Sequence, residues 1–272
     1  MKYETLHGVS VPKIGFGTWR IGGDSYPEPA RDPVFIAALQ TALEVGYTHF
    51  DTAEVYAAGH SEELLGRALR ETKTERESVF VTTKVAPEHL QYEQVLKSCH
   101  NSLRRLQMEY VDLYLIHWPR IGMKLEETFR ALNKLVRDGK ARHLGVSNFN
   151  LNLLKQSQSL SETPLFTDQV PYRLPDRSYV ENGFIPYCQE NDILLTAYSP
   201  LKFRNLPVNQ EVRAIADAHS ATPFQIALAW LVAQPRVITI PMSLNPRHIR
   251  ENFEAAEIGL TEAEFETLNK LY

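Results

Sequence analysis

Eight short apolar segments, separated by helix-like segments, constrain the fold of this chain most strongly. They are rich in Val, Ile and Leu, and they span residues 14–18, 47–51, 79–84, 111–117, 141–147, 165–170, 193–199 and 236–241. Strands that alternate strictly with helices form parallel sheets whose faces are covered by those helices. Repeated eight times along 272 residues, this pattern favours a closed (β/α)8 TIM barrel over an open sheet.

The signals at segment ends support this interpretation. Residues 32–46 begin with Asp32 and a proline, as first helical turns often do, and end on a glycine, as helices often do. No linker or shift of composition marks a second domain, so we expect one domain over residues 1–272. Strand-like residues on both sides of a His-Gly pair in residues 3–13 predict an N-terminal β-hairpin that closes the bottom of the barrel.

The glycine-rich segment KIGFGTWRIGG, at residues 13–23, resembles a dinucleotide-binding loop but does not fit one. Arg20 stands where the fingerprint requires its third glycine, and a proline-rich loop follows where a helix should begin. We therefore interpret the segment as the first barrel strand and its exit loop. Gly15 and Gly17 would let the backbone of this strand pack closely against its neighbours.

Charge and composition exclude several classes of protein. The 29 basic and 33 acidic residues are interspersed and give a net charge of −4, so we expect no nucleic-acid partner. The longest apolar run is too short to span a bilayer, and no apolar signal sequence begins the chain. Cys99 and Cys188 form neither a zinc pattern nor a disulfide framework. We expect a cytoplasmic protein that binds small molecules and contains no metal.

Polar residues stand at the carboxyl ends of the predicted strands, where barrels place their active sites. Asp51 ends the second strand and precedes Tyr56, Lys84 ends the third, and His117 ends the fourth. Each alone could cap a turn or pack at the rim. Together they favour a proton donor: Lys84 would lower the pKa of the Tyr56 phenol, and Asp51 would orient Lys84. His117 would hydrogen-bond a substrate carbonyl oxygen.

Six motifs along the chain carry a resemblance to a known family. In order, they are DTAEVYAAGHSEELLG, TTK, DLYLIHWP, GVSNF, AYSPL and IPMSLNPRHIREN. The chain thus resembles the aldo-keto reductase superfamily over nearly its whole length, as a bacterial-type member with short loops. The resemblance implies reduction of aldehydes or ketones to alcohols by hydride transfer from a nicotinamide cofactor. It implies that Asp51, Tyr56, Lys84 and His117 are the catalytic residues and that Tyr56 is the proton donor.

The resemblance also implies a set of cofactor contacts. Ser147, Asn148 and Gln169 would hold the nicotinamide carboxamide, and Tyr198 would stack on its ring. The other implied contacts are Thr18, Arg20, Ser199, Leu201, Ser243, Leu244, Glu251 and Asn252.

Three positions depart from the family pattern. Asp168 replaces the usual asparagine, and we expect it to lie next to the residues that contact the cofactor without contacting the cofactor itself. Met242 and His248 replace the lysine and arginine that often grip a 2′-phosphate. Arg247 and Arg250 could substitute, so we expect NADP as cofactor and leave NAD open.

The substrate contacts are the least defined part of the sequence. Trp19, Trp118 and Phe149 would line the mouth as apolar walls, or would be ordinary packing at the rim. The short connection after the fourth strand predicts an open site with broad acceptance of carbonyl compounds, in a protein we expect to be monomeric. Two alternatives remain: a cofactor-binding regulatory or structural protein with little turnover, and an isomerase or aldolase that uses Lys84 as a Schiff base.

Overall fold

The fold was analysed in a computed structural model, which describes residues 1–176, 178–202 and 209–271. The strands are β1 (Tyr3–Leu6), β2 (Val9–Pro12), β3 (Phe16–Gly17), β4 (His49–Asp51), β5 (Phe80–Val85), β6 (Val111–Ile116), β7 (Ala141–Ser147), β8 (Leu165–Pro171), β9 (Leu194–Tyr198) and β10 (Val237–Thr239). The helices are α1 (Asp32–Val45), α2 (His60–Glu71), α3 (Tyr92–Leu106), α4 (Leu125–Arg137), α5 (Leu151–Leu160), α6 (Ser178–Glu181), α7 (Phe184–Glu190), α8 (Gln210–Ala218), α9 (Pro223–Ala233), α10 (Pro246–Glu254) and α11 (Glu262–Lys270).

Strands β3 to β10 form one parallel sheet in which each strand pairs with its neighbours in the sequence. The sheet closes on itself because Ile14, just before β3, forms a parallel bridge with Thr239 in β10. The Gly15 N–H donates to the Thr239 carbonyl at 2.8 Å, and the Thr239 N–H donates to the Lys13 carbonyl at 2.8 Å. The predicted (β/α)8 barrel is confirmed, and each predicted strand segment overlaps an observed strand.

The N-terminal hairpin is also confirmed. Strands β1 and β2 pair antiparallel, from Tyr3 opposite Pro12 to Leu6 opposite Val9. Leu6 and Val11 of the hairpin belong to a small buried cluster with side chains from the barrel interior, namely Phe80, Leu113, Leu115, Phe166, Leu194 and Ile238. Because Phe80 and Leu194 begin their strands, the hairpin covers the amino-terminal end of the barrel and leaves the carboxyl end open for a site.

The two glycines at the start of the barrel stand where a side chain would not fit. A Cβ on Gly15 would lie 2.5 Å from Nδ1 of His49, and a Cβ on Gly17 would lie 2.6 Å from the carbonyl oxygen of Ile240. Real Cβ atoms do not approach other atoms so closely. The predicted close packing at Gly15 and Gly17 is therefore confirmed: Gly15 packs against the second barrel strand, and Gly17 packs against the segment that follows the last one.

Replacing Gly17 by alanine should lower the free energy of unfolding by about 1–3 kcal/mol, because the obstructing Ile240 oxygen belongs to backbone that cannot rotate away. Urea unfolding followed by circular dichroism measures the change. Gly259→Ala is the matched control, since a Cβ there meets nothing within 4 Å. Equal stability of the Gly17 and Gly259 variants would show that close packing at this seam does not matter.

Two findings concern membranes and metals. Among the described residues, no helix has the length and apolar character needed to cross a bilayer. Within those same residues, His, Cys, Asp and Glu nowhere gather in groups of three or more that could hold a metal ion.

Candidate active site

Four ionisable side chains meet at the carboxyl end of the barrel. Asp51 is the last residue of β4, Lys84 lies near the end of β5, and His117 directly follows β6. Tyr56 lies in the short 3-10 turn after β4. Neighbouring parallel strands bring their carboxyl ends to the same rim, which explains how residues far apart in sequence come together.

Lys84 and Asp51 form a buried ion pair. Lys84 Nζ donates to Asp51 Oδ1 at 2.6 Å and to the Thr52 carbonyl at 2.8 Å, and the two side chains are 0% and 2% exposed. The other carboxylate oxygen accepts a hydrogen bond from Gln169 Nε2 at 2.8 Å. Burial alone would lower the pKa of Lys84, but the charge of Asp51 and the nearby Tyr56 raise it above its usual value. Lys84 is therefore an ammonium ion, which disfavours its use as a Schiff-base nucleophile.

The Tyr56 phenol lies beside this ion pair. Lys84 Nζ lies 3.4 Å from the phenolic oxygen and donates to it. Burial raises the pKa of Tyr56, and this effect exceeds the opposing effect of the Lys84 charge, which Asp51 partly cancels. Lys84 thus lowers the pKa of Tyr56 as expected, but burial, which the sequence does not show, outweighs this effect and leaves the net pKa above its usual value. The phenol keeps its proton at neutral pH, as a proton donor must, and Lys84 limits the cost of losing it.

His117 is held as a neutral imidazole. Burial, followed by the charge of Lys84, lowers its pKa to about 3. Its ring meets the Tyr56 ring edge to face, with centroids 5.5 Å apart and planes at 77°. Nδ1 is buried and has no hydrogen-bond partner among the described residues. A neutral imidazole carries one N–H, so it can orient a carbonyl oxygen by hydrogen bonding without competing with Tyr56 as the acid.

No sequence-based prediction covered a set of contacts beneath Tyr56, in which Glu62 bonds to Thr83 and Arg105; we call it the Glu62–Arg105 brace. Ala57, Ala58 and Gly59 follow Tyr56 with φ values of 48°, 53° and 93°, a left-handed run that is costly for alanine. Glu62, fully buried, accepts hydrogen bonds from Thr83 Oγ1 at 2.5 Å and from Arg105 Nε at 2.6 Å.

This brace connects the Tyr56 turn with the Lys84 strand. Arg105 packs directly on Gly59, where a Cβ would lie 2.6 Å from its Nε, and Thr83 precedes Lys84 in β5. The sequence signal that could have revealed the brace is Glu62 itself, a charged residue on the apolar face of α2, close to the buried residues Leu65 and Leu69.

The four residues predicted to meet the nicotinamide lie together next to the catalytic candidates. Ser147 Oγ donates to the Gln169 carbonyl at 2.8 Å, and Asn148 Nδ2 donates to the His117 carbonyl at 3.1 Å. Tyr198 donates its phenolic proton to Asn148 Oδ1 at 2.8 Å. These contacts hold the amides and the Tyr198 ring in defined positions. Their contact with a cofactor stays a prediction.

The remaining cofactor candidates divide into two groups. Thr18 is buried, its N–H donates to the Asp51 carbonyl at 2.9 Å, and its hydroxyl accepts from Ser61 Oγ at 2.9 Å, so its role in the fold is clear. Arg20 is exposed and lies over the Trp19 ring at 4.6 Å. Ser199 follows β9 with φ of 50°, and Leu201 packs against the core.

The second group surrounds the beginning of α10. Ser243 and Leu244 lie between β10 and α10 and are partly buried, while Glu251 and Asn252 lie within α10. Arg247 Nε donates to Glu251 Oε1 at 2.6 Å, with the arginine side chain 78% exposed. An exposed ion pair of this kind is weak, so it leaves Arg247 free to exchange partners.

The three aromatic candidates for substrate contact separate in the structure. Trp19 and Trp118 are 42% and 45% exposed, and the Trp118 ring lies beside His117. Phe149 is only 1% exposed and belongs to the main core. The chain turns at Asn148, which has φ of 63°, so the next side chain packs into the protein. The expectation that Phe149 forms a wall of the mouth is thus not supported, whereas both tryptophans are available for it.

His49 lies in the barrel interior, and its titration predicts how the free energy of unfolding changes at acidic pH. Burial lowers the pKa of His49 to about 4, and the side chain is 2% exposed. In the unfolded chain His49 is protonated below about pH 6.5, whereas in the folded chain it is protonated only below about pH 4. This contribution to stability is complete above pH 6.5, declines as the pH falls, and is fully lost below about pH 4.

Between pH 6.5 and 4, His49 should therefore lower the free energy of unfolding by about 3 kcal/mol. His49→Leu cannot titrate, so its urea midpoint should fall less steeply over this range than that of the natural protein. His117 adds a similar slope in both proteins. Parallel pH profiles for the two proteins would contradict the assignment to His49.

Comparison with known proteins agrees with this geometry. The sequence pattern of the aldo/keto reductase family matches residues 13–272. The chain is 37% identical over 270 residues to methylglyoxal reductase YeaE of Escherichia coli (strain K12), covering 97% of this chain and 92% of that protein. A thermostable aldo-keto reductase, Tm1743, solved with the inhibitor epalrestat, is 44% identical with a TM-score of 0.96 over 100% of both chains. An aldo/keto reductase from Klebsiella pneumoniae, solved with NADP and acetate, is 36% identical with a TM-score of 0.88, over 97% of this chain and 93% of that one. The chain belongs to the aldo/keto reductase family.

Proposed function

We propose that this protein reduces small reactive aldehydes and ketones to alcohols with NADPH, and that Tyr56 is the proton donor. The observation that carries the proposal is the Lys84–Asp51 ion pair beside a protonated Tyr56 and a neutral His117. YeaE is named a methylglyoxal reductase, so methylglyoxal is the first substrate to test. The chain is an NADP-dependent carbonyl reductase, in line with its family and with the NADP in the Klebsiella pneumoniae structure.

The residues divide the chemistry among them. When bound, the reduced nicotinamide supplies the hydride that the carbonyl carbon receives. His117 orients the carbonyl by a hydrogen bond to its oxygen, and Tyr56 gives that oxygen its phenolic proton. The phenolate that remains is stabilised by Lys84, whose charge Asp51 holds in place. The alcohol leaves with one added hydride and one added proton, and Tyr56 regains its proton from solvent.

The donor set of the rim suits a nicotinamide dinucleotide. Asn148 and Gln169 provide side-chain amides that match a carboxamide, and Tyr198 provides an aromatic surface beside them. The first turn of α10 follows a barrel strand, which is a common place for phosphate. Met242 and His248 lack the usual cations, so Arg247 and Arg250 are the candidates for the 2′-phosphate and for the preference over NAD.

Several broader properties belong to the same proposal. We infer one domain over residues 1–272, supported by the match of the family pattern to residues 13–272. The exposed Trp19 and Trp118 support an open, apolar mouth that accepts a range of carbonyl compounds. We also infer a monomer located in the cytoplasm. The two buried free thiols, Cys99 and Cys188, support the location because they suit a reducing compartment.

The direct test is the oxidation of NADPH, followed at its absorbance band, by purified protein with methylglyoxal and a panel of aldehydes and ketones. We expect turnover with NADPH and slower turnover with NADH at equal concentrations. Dissociation constants for both cofactors are measured in parallel. Tight NADPH binding without turnover of any carbonyl compound would favour the regulatory alternative over this proposal.

A further inference from the structure

Glu54, two residues before Tyr56, is an acid that the proposed reaction does not use. Its side chain is 8% exposed, and its Oε1 accepts a hydrogen bond from the Ala86 N–H at 2.5 Å. His89 Nδ1 lies 3.1 Å from the same oxygen, and since a carboxylate oxygen can only accept, the histidine is the donor. Both donors belong to the segment that follows β5, the strand that carries Lys84. Glu54 thus ties the segment after β4 to the segment after β5.

The backbone at Glu54 is held against the same strand. Its N–H donates to the Lys84 carbonyl at 3.3 Å, so main-chain bonding to β5 continues past Asp51, the last residue of β4. The side chain of Glu54 then adds a contact two residues further along, at Ala86. Beyond these contacts the chain enters the 3-10 turn that begins with Tyr56.

The turn that follows Glu54 is strained. Ala57 and Ala58 have φ of 48° and 53°, left-handed conformations that are unfavourable for alanine. A strained turn keeps its conformation only where the surrounding structure holds it. The Glu62–Arg105 brace packs against the far end of this turn, and Glu54 holds the near end.

The position of the turn sets the contact on which proton donation depends. Lys84 Nζ lies 3.4 Å from the Tyr56 phenolic oxygen, which is longer than most hydrogen bonds. A small shift of the turn away from β5 would break this contact and weaken the stabilisation of the phenolate. The amides of Asn148 and Gln169 are held by other contacts, so they would stay in place.

We propose that Glu54 is a positioning residue, which fixes the Tyr56 turn to the end of β5 and thereby keeps the phenol within reach of Lys84. The proposal rests on the proposed function, because it takes Tyr56 as the proton donor. Glu54 acts through Tyr56, so its loss should slow proton donation and leave cofactor binding unchanged.

Two substitutions at position 54 test the role of the acceptor oxygen. Glu54→Ala removes it, and Glu54→Gln keeps an acceptor oxygen at the same reach. In single-turnover reduction of methylglyoxal with saturating NADPH, the alanine variant should be about 10- to 100-fold slower, and the glutamine variant less than about fivefold slower. The dissociation constant for NADPH, read from its fluorescence, should stay within about twofold in both. Glu88→Ala, at an exposed glutamate in the 3-10 turn after β5, is the matched control and should react at the natural rate.

A double-mutant cycle with Tyr56→Phe tests whether Glu54 acts through Tyr56. We expect Glu54→Ala to slow the residual reaction of Tyr56→Phe by less than about twofold, because no phenol remains to be positioned. A role in stability alone would lower the rate by the same factor with and without the phenol, since it would change only the fraction of folded protein. Urea unfolding of each variant measures that fraction independently.

The outcomes distinguish this proposal from the proposed function. If the natural protein reduces no carbonyl compound, or if Tyr56→Phe reacts at the natural rate, the proposed function fails. If the natural protein is active and Tyr56→Phe is slow, three results would overturn only the role of Glu54. They are a natural rate for Glu54→Ala, an equal loss in Glu54→Gln, and an equal loss with and without the phenol.

A second variant decides the question if Glu54→Ala does not fold. His89→Ala removes one of the two donors to Glu54, and the histidine side chain is 47% exposed, so the fold should tolerate the change. It should slow the natural protein about two- to fivefold and leave the rate of Tyr56→Phe unchanged. Equal rates for the natural protein and His89→Ala would then overturn the proposal.

Discussion

Replacing Tyr56 by phenylalanine should lower kcat for carbonyl reduction about 100- to 10,000-fold, which is the usual contribution of a positioned general acid. The phenol is the group beside the Lys84 ammonium, and it retains its proton at neutral pH because burial raises its pKa. Phenylalanine keeps the ring that meets His117 edge to face but has no proton to give. Single-turnover reduction of methylglyoxal with NADPH measures the loss.

The same variant should bind NADPH with nearly the affinity of the natural protein. Among the described residues, the Tyr56 hydroxyl bonds only to Lys84, so it is not needed to hold the amides of Asn148 and Gln169. Full activity of Tyr56→Phe would remove Tyr56 from the proton-donor role.

Replacing Lys84 by methionine should have the largest combined effect on stability and activity. The change leaves the buried Asp51 carboxylate without its counter-ion, and breaking such a pair costs about 3–5 kcal/mol. It also removes the charge that stabilises the phenolate of Tyr56. Urea unfolding and NADPH oxidation should therefore both respond.

A double variant separates these two effects. Lys84→Met combined with Asp51→Asn removes both charges, so much of the lost stability should return while activity stays low. The Gln169 amide can still bond to the asparagine at position 51, which preserves the local contact. Recovery of activity in the double variant would show that the ammonium ion is dispensable for the reaction.

The barrel and its catalytic candidates were predictable because their signals are local. Apolar segments of five to seven residues, helix ends at residues such as Gly46, and polar residues at or directly after strand ends are all signals carried by neighbouring residues. The order of Asp51, Tyr56, Lys84 and His117 along the chain then places them at one rim, because every barrel strand ends at the same face. No long-range information was needed for this step.

Properties that depend on burial were not predictable in the same way. The net pKa of Tyr56 follows from a balance between loss of water and the charge of Lys84, and the sequence contains only the second effect. Phe149 looked like an aromatic wall of the mouth, yet the left-handed turn at Asn148 places it in the core. The Glu62–Arg105 brace joins side chains 43 positions apart.

The sequence by itself thus determined the number and order of the strands, the rim at which the chemistry gathers, and the four side chains that meet there. Only the tertiary structure decided how each of those groups is charged and what holds it, since desolvation and hydrogen-bond geometry depend on atoms that lie far away in the chain. Asp168 shows the difference most clearly. In the sequence it is one acid beside a glutamine, and in the fold it is a fully buried carboxyl that makes no hydrogen bond with any of the described residues.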